Sequence, residues 1–296
     1  MTRFRALVWP VVLGAYMPFC TPAVRPTAPP AGVSIDALWQ QPSDIASKDL
    51  FTGDWDTRYA PDPAATYTFV ALKRHGVNPG MTVRDPEGRR WSVKQPPASG
   101  QPPEGPIEVV VSRVLAAVGY HQPPVYYLPS FKLRDDWGTH REPGGRFRPH
   151  EKSLKELGTW SWQQNPFVNT RPYRGLLVIL LVLDSSDLKN DNNTLYEYKS
   201  GGVTERWYVV RDLGMALGST GRVAPRRGDP KALARNRFIL GVRDGFVQFD
   251  YDGWHQELVR GRLRPDDVEW GCALLASLSQ RQWEDAFRAG GYPPDV

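Results

Sequence analysis

The chain has 296 residues, a net charge of +5, 28 prolines, 27 glycines and 11 tryptophans. That length suits one large domain or two lobes with ample core, and the composition points to a loop-rich protein with aromatic anchors. The modest charge shows no concentrated basic stripe and no aromatic RNA-binding signature, which excludes nucleic acid as the expected partner. The two cysteines, Cys20 and Cys272, exclude a disulfide framework, and the lack of Cys-x-x-Cys or His-Glu-x-x-His excludes a structural zinc site.

In chain order, residues 1–20 read as an export signal. Arg3 and Arg5 precede an apolar stretch from Ala6 to Tyr16, and Cys20 stands where a lipoprotein carries its lipid. The sequence therefore predicts an exported protein of the periplasm or cell envelope, with possible membrane attachment through Cys20. Residues 21–49, rich in proline and alanine at their start, read as an extended tether.

The globular pattern begins near Leu50. Tyr67–Lys73 and Met81–Asp85 read as two strands around a turn at Gly76–Gly80, and Arg90–Lys94 follows as a third strand after the tight turn Asp85-Pro86-Glu87-Gly88. A helix is predicted from about Glu108 to Tyr120, announced by Pro106 and ended by Gly119. Val125–Leu128 and Arg146–Arg148 read as further strands around a polar loop, with a hinge near Pro149–Lys152. Trp160 and Trp162 read as packing aromatics, or as a platform for a partner.

Thr170-Arg171-Pro172 supplies a cap and an early proline for a helix whose run Gly175–Leu183 is apolar on every side. It is far shorter than the ~20 residues of a membrane span, so it reads as a buried helix ending just before Ser185-Ser186-Asp187-Leu188-Lys189-Asn190-Asp191-Asn192. Thr194–Tyr198 and Trp207–Val210 then form a predicted hairpin across Lys199–Gly202, returning the chain to Asp212-Leu213-Gly214. Two more strands, Phe238–Val242 and Gly245–Tyr251, and a helical tail over Val268–Leu278 and Gln282–Arg288 complete the pattern.

The ordered set Lys94, Glu108, Asp187, Lys189, Asn192 and Asp212 resembles the atypical branches of the protein-kinase-like superfamily, such as HipA-type, Fam20-type and phosphatidylinositol-kinase-like proteins. The resemblance covers roughly Tyr67 to Gly214. It implies an α+β, two-lobed protein-kinase-like fold, with a β-rich N-lobe over residues 50–150 and a mainly helical C-lobe over 151–296. It also implies ATP and Mg2+ as cofactors. Lys94 would hold phosphates and Glu108, with Glu104 as second candidate, would orient it. Asp187 would accept the acceptor's proton, Lys189 would neutralise the transferring group, and Asn192 and Asp212 would bind the metal. The acceptor would be a hydroxyl of a protein, lipid or sugar. The alternative is an inactive envelope protein of the same fold that serves as a binding module. Ser185-Ser186 stands where such enzymes carry His-Arg, which argues against control by activation-loop phosphorylation, and the basic loop Arg222–Arg227 stands where Ala-Pro-Glu is usual, so no protein-substrate platform is evident.

Overall fold

The computed structural model describes residues 32–55, 57–73, 78–97, 100, 102–218 and 226–294. The export signal with Arg3, Arg5 and Cys20, Gly76 and Val77 of the Gly76–Gly80 turn, and residues 222–225 of the basic loop lie outside the described residues. Among the described residues no helix is long and apolar enough to cross a membrane.

Five strands close into a barrel: β1 (Thr66–Leu72), β2 (Gly80–Arg84), β3 (Arg90–Lys94), β4 (Tyr126–Asp135) and β5 (Gly138–Pro149), in the order β1-β2-β3-β5-β4. The closing seam is a parallel pairing of Thr66–Thr68 with Lys132–Arg134; every other seam is antiparallel. Period-two alternation decides which side chains fill it. Tyr67, Val83, Trp91, Val93, Phe131 and Phe147 point inward and are almost fully buried, whereas Ser92, Lys94, Arg146 and Arg148 occupy the intervening positions of the paired β3 and β5.

Between β3 and β4 runs α1 (Glu104–Ala117), which packs on β4, β5 and α5 (Gln280–Ala289). Pro106 lies within its first turn, where its missing N–H costs no hydrogen bond. A second core gathers α1, α2 (Arg171–Val182), α4 (Pro265–Ala276) and the loops around them. Thr170 caps α2 by accepting from the Tyr173 N–H at 3.4 Å, and Leu176 to Leu181 are buried all round, as the apolar run required. Beyond the barrel stand a three-stranded sheet, β6 (Leu154–Gly158), β7 (Asn193–Ser200) and β8 (Val203–Val210), a short helix α3 (Pro230–Leu233), and a hairpin of β9 (Ile239–Arg243) and β10 (Phe246–Phe249).

This architecture corrects the expected α+β, two-lobed kinase-like fold with a mainly helical C-lobe. Among the described residues strands predominate around a closed five-stranded barrel, and the five helices are short, none longer than the 14 residues of α1. Two causes are visible. The β4–β5 hairpin runs from Tyr126 to Pro149, but its outer half is so polar and rich in Gly and Pro that it reads as loop. Barrel closure depends on a pairing between segments some 66 residues apart, Thr66 with Lys132, which no local pattern reveals. Nor does the tether run to residue 49 as an extended segment: Ile35–Ala37 form a helical turn, Leu38 is buried, and the Trp39 indole N–H donates to the Val118 carbonyl at 2.8 Å.

Candidate functional site

The end of β3, the first two turns of α1 and the loop after β8 converge on Lys94. Its ammonium lies 2.7 Å from Glu104 Oε2, 3.5 Å from Glu108 Oε2 and 3.4 Å from Asp212 Oδ1, with only 6 % of the side chain exposed. Glu104 and Glu108 are one helical turn apart, so both face the same neighbour. Glu104, the second candidate on sequence, makes the closer contact. It also accepts from Arg227 Nη1 at 2.8 Å and from the Asn78 amide at 2.7 Å. Glu108 is shared: Arg148 Nη2 donates to its Oε1 at 2.9 Å, and Arg146 Nε lies 3.1 Å from the same oxygen.

Arg146 and Arg148 were read from the sequence only as strand residues. The signal that could have found them is alternation: Arg-Phe-Arg on a strand aims both guanidinium groups away from the barrel interior, beside Lys94 and Ser92 on the paired strand.

Electrostatics follow from this crowding. Burial pushes the Lys94 ammonium toward neutrality, but Glu108, Asp212 and Glu104 outweigh it and hold its pKa above the ordinary lysine value. Burial and Glu108 push the Asp212 carboxyl up; Lys94, Arg148 and Arg146 overcome them and keep it below the usual carboxylate range. Burial raises and Lys94 lowers Glu104, with the net below its ordinary 4.5. Burial brings Arg146 down to about 10, relieved mainly by Glu108. Buried Arg146 leaves Nη1 without a hydrogen-bond partner, and the Asp212 side chain is 40 % exposed, so the cluster still has donors and a carboxylate to offer.

The β7–β8 hairpin brings the second group to the first. Its outermost pair joins Asn193 to Val210, and the Arg211 N–H donates to the Asn192 carbonyl at 2.7 Å. Asn192 and Asp212 thus stand on adjacent backbones although twenty residues separate them. Asp212 adopts a left-handed backbone, φ +52°, uncommon for a residue other than glycine and typical of functional positions. At Gly214 a Cβ would come within 2.9 Å of the Glu104 carbonyl oxygen, so only glycine lets the Asp212 loop lie on α1.

Asp187 lies on the loop after α2, half-buried. The Asn192 side-chain amide donates to its carboxylate Oδ2 at 3.0 Å and to its carbonyl at 2.7 Å, while Lys189 Nζ approaches Oδ1 at 2.7 Å. That approach is an ion pair without hydrogen-bond alignment, which leaves Oδ1 with no hydrogen-bond donor. Trp254, another residue the sequence did not flag, covers the Lys189 ammonium at 4.9 Å and ties its N–H to the Ser186 carbonyl at 2.9 Å. The Ser186 N–H donates to the Met215 carbonyl at 3.2 Å, binding the Asp187 loop to the Asp212 loop.

A cavity of about 510 Å³ adjoins the cluster through Arg148 and Arg211, with Ser92, His150, Leu154 and Tyr196 among its walls. The expected hinge residues, Pro149 to Lys152, also line it. Among the described residues no group of three or more His, Cys, Asp or Glu could hold a metal. The Asp212 carboxylate and the Asn192 amide carry hard oxygen donors of the kind Mg2+ takes, the first held by Lys94 and the second beside Asp187. Trp160 and Trp162 are buried, and the Trp160 indole donates to the Val209 carbonyl at 3.0 Å, so both pack the core and neither forms an exposed platform. Comparison of the chain with protein-family models, with curated proteins and with solved structures finds no match to any of them.

Proposed function

We propose that this protein is an ATP- and Mg2+-dependent phosphotransferase acting on a hydroxyl group. The observation that carries the reading is the meeting, from three separate segments, of Lys94, Glu104 and Asp212, with Arg148 of the same cluster lining a cavity of ligand size and the Asn192 carbonyl bonded to the residue before Asp212. Magnesium-bound ATP, when present, supplies the phosphoryl group to be transferred. Lys94, fixed by Glu104 and Glu108, presents a permanent positive charge to phosphate oxygens. Arg146 Nη1, buried without a partner, adds a donor beside it. Asp212 and Asn192 offer oxygens to the metal, and the half-buried Asp187 offers Oδ1 to the acceptor's proton. Lys189, held between Asp187 and Trp254, is placed to balance negative charge near that oxygen.

A second reading, a partner-binding protein without turnover, draws on the same Lys189 contact, because an ammonium 2.7 Å from Asp187 Oδ1 stands where an acceptor hydroxyl would have to approach. Thermal shift and turnover separate the two. With nucleotide at about 100 times its Kd the fold should gain ~2.7 kcal/mol. Asp212→Ala should abolish the magnesium-dependent part of that gain. Asp187→Ala should preserve it while lowering turnover ~10²–10⁴-fold. Binding with no turnover across protein, lipid and sugar acceptors favours the second reading, and absence of nucleotide binding in the wild type refutes the phosphotransferase.

A further inference from the structure

On the opposite side of α1 from its glutamates lies a second cavity of about 510 Å³, which shares no lining residue with the Lys94 cluster. Its walls are almost wholly apolar: Phe51, Pro61, Pro63, Tyr127, Leu128 and Pro129. One charged side chain is built into it. Arg113, on α1, lines the cavity with only 5 % of its surface exposed, and among the described residues no hydrogen bond or ion pair reaches its guanidinium; Nε is buried with no partner.

Among the described residues, the two acids whose charges act on Arg113 are committed elsewhere. Asp49 Oδ1 accepts from the Phe51 and Thr52 backbone N–H groups at 2.9 and 3.1 Å, and Asp54 pairs with Lys48 at 2.9 Å. What holds Arg113 is packing. Its guanidinium carbon lies 5.2 Å from the Tyr126 ring centroid, and it lies so close to Gly53, at φ +83°, that a Cβ there would stand 2.6 Å from that carbon. Burial lowers the pKa of the group, offset in part by Tyr126, Asp54 and Asp49. A buried cation without a counter-ion is costly unless an anion completes it. Arg288, at the cavity's rim, already pairs with Asp285 at 2.7 Å and covers Phe51.

We propose that this cavity is a binding site for a small amphipathic carboxylate, with the carboxylate on Arg113 and an apolar body along the Phe51, Pro61, Leu128 and Pro129 walls. A guanidinium matches a carboxylate's two oxygens with paired N–H donors, and the apolar lining rewards an acyl or aromatic body over a free inorganic anion. Sulfate lacks the body and a fatty alcohol lacks the charge, so neither should compete.

Calorimetric titration of the full chain with decanoate, decanol and sulfate, each decanoate concentration below its micelle threshold, tests this. Decanoate should bind and the other two should not. Arg113→Met should weaken decanoate about tenfold or more, the loss of a charge-assisted hydrogen-bond pair, while leaving the unliganded fold at least as stable, since it removes an uncompensated charge. Ala289→Trp, which fills the cavity from α5 without touching the guanidinium, should also abolish binding and keeps the test decisive if the methionine variant does not fold. Decanol binding as tight as decanoate, decanoate binding unchanged in either variant, or no decanoate binding to the wild type would each overturn the proposal.

Discussion

Lys94 is the residue on which the site depends, because three carboxylates from two segments are compensated through it. Arg146 and Arg148 also neutralise Glu108, and Arg227 also pairs with Glu104, so Asp212 loses most if Lys94 goes. Removing one partner of a buried ion pair typically costs ~3–5 kcal/mol, so Lys94→Met should lower the unfolding free energy, read from urea denaturation, by an amount in that range; a change under about 1 kcal/mol would mean the cluster is solvated. Glu104 gives a pH signature. Its folded pKa lies below the ordinary 4.5, so its contribution to stability is present above that value and is lost as pH falls through the lowered one. Glu104→Gln should therefore be less stable at neutral pH but lose less stability than wild type between neutrality and about pH 3. Equal losses in both chains would remove Glu104 from the coupling.

At the level of elements, the α2–α4 crossing is set by glycine. A Cβ on Gly175 would run into the Trp270 ring, and one on Gly271 would stand 2.9 Å from Val178 Cγ1, so the two helices approach through reciprocal gaps. On an exposed helix Gly→Ala gains about 1 kcal/mol in propensity; here overpacking, at ~1–3 kcal/mol, should win. Gly175→Ala is expected to lower stability by ~1 kcal/mol or more, and a rise in Tm would show that Trp270 swings aside freely. The same crossing is tied by Arg174 Nε to Asp267 at 2.7 Å, both nearly fully buried. Because α2 delivers Asp187, a shift of this helix should reach the site as reduced turnover, whereas nucleotide binding at Lys94 stays.

Across the whole molecule, the barrel core and the helical core are separate apolar clusters, and β5 couples the first to the site. Phe147 fills the barrel while its neighbours Arg146 and Arg148 hold Glu108. Phe147→Ala should cost ~3–5 kcal/mol and also weaken nucleotide-induced stabilisation, since β5 carries two of the site's guanidinium groups. Full stabilisation by nucleotide in that variant would show that the barrel and the site are independent.

What the sequence determined was local. The Thr170 cap and the apolar run produced α2; alternating apolar residues produced β1 to β3 and the β7–β8 hairpin. The hairpin in turn made it legible that the backbone before Asp212 returns to Asn192, because an antiparallel pair must bring the chain back to its start. Lys94 and the two glutamates were also legible, since a strand end followed by a helix start places them within reach. Tertiary structure decided the rest. The parallel β1–β4 seam that closes the barrel, and with it the departure from a two-lobed helical fold, joins segments with no local signature of pairing. The choice of Glu104 over Glu108 as the closer partner, and the recruitment of Arg146 and Arg148, depend on how α1 lies across β5. Charged side chains reveal their partners only when burial removes water as the alternative, and burial is a property of the assembled fold.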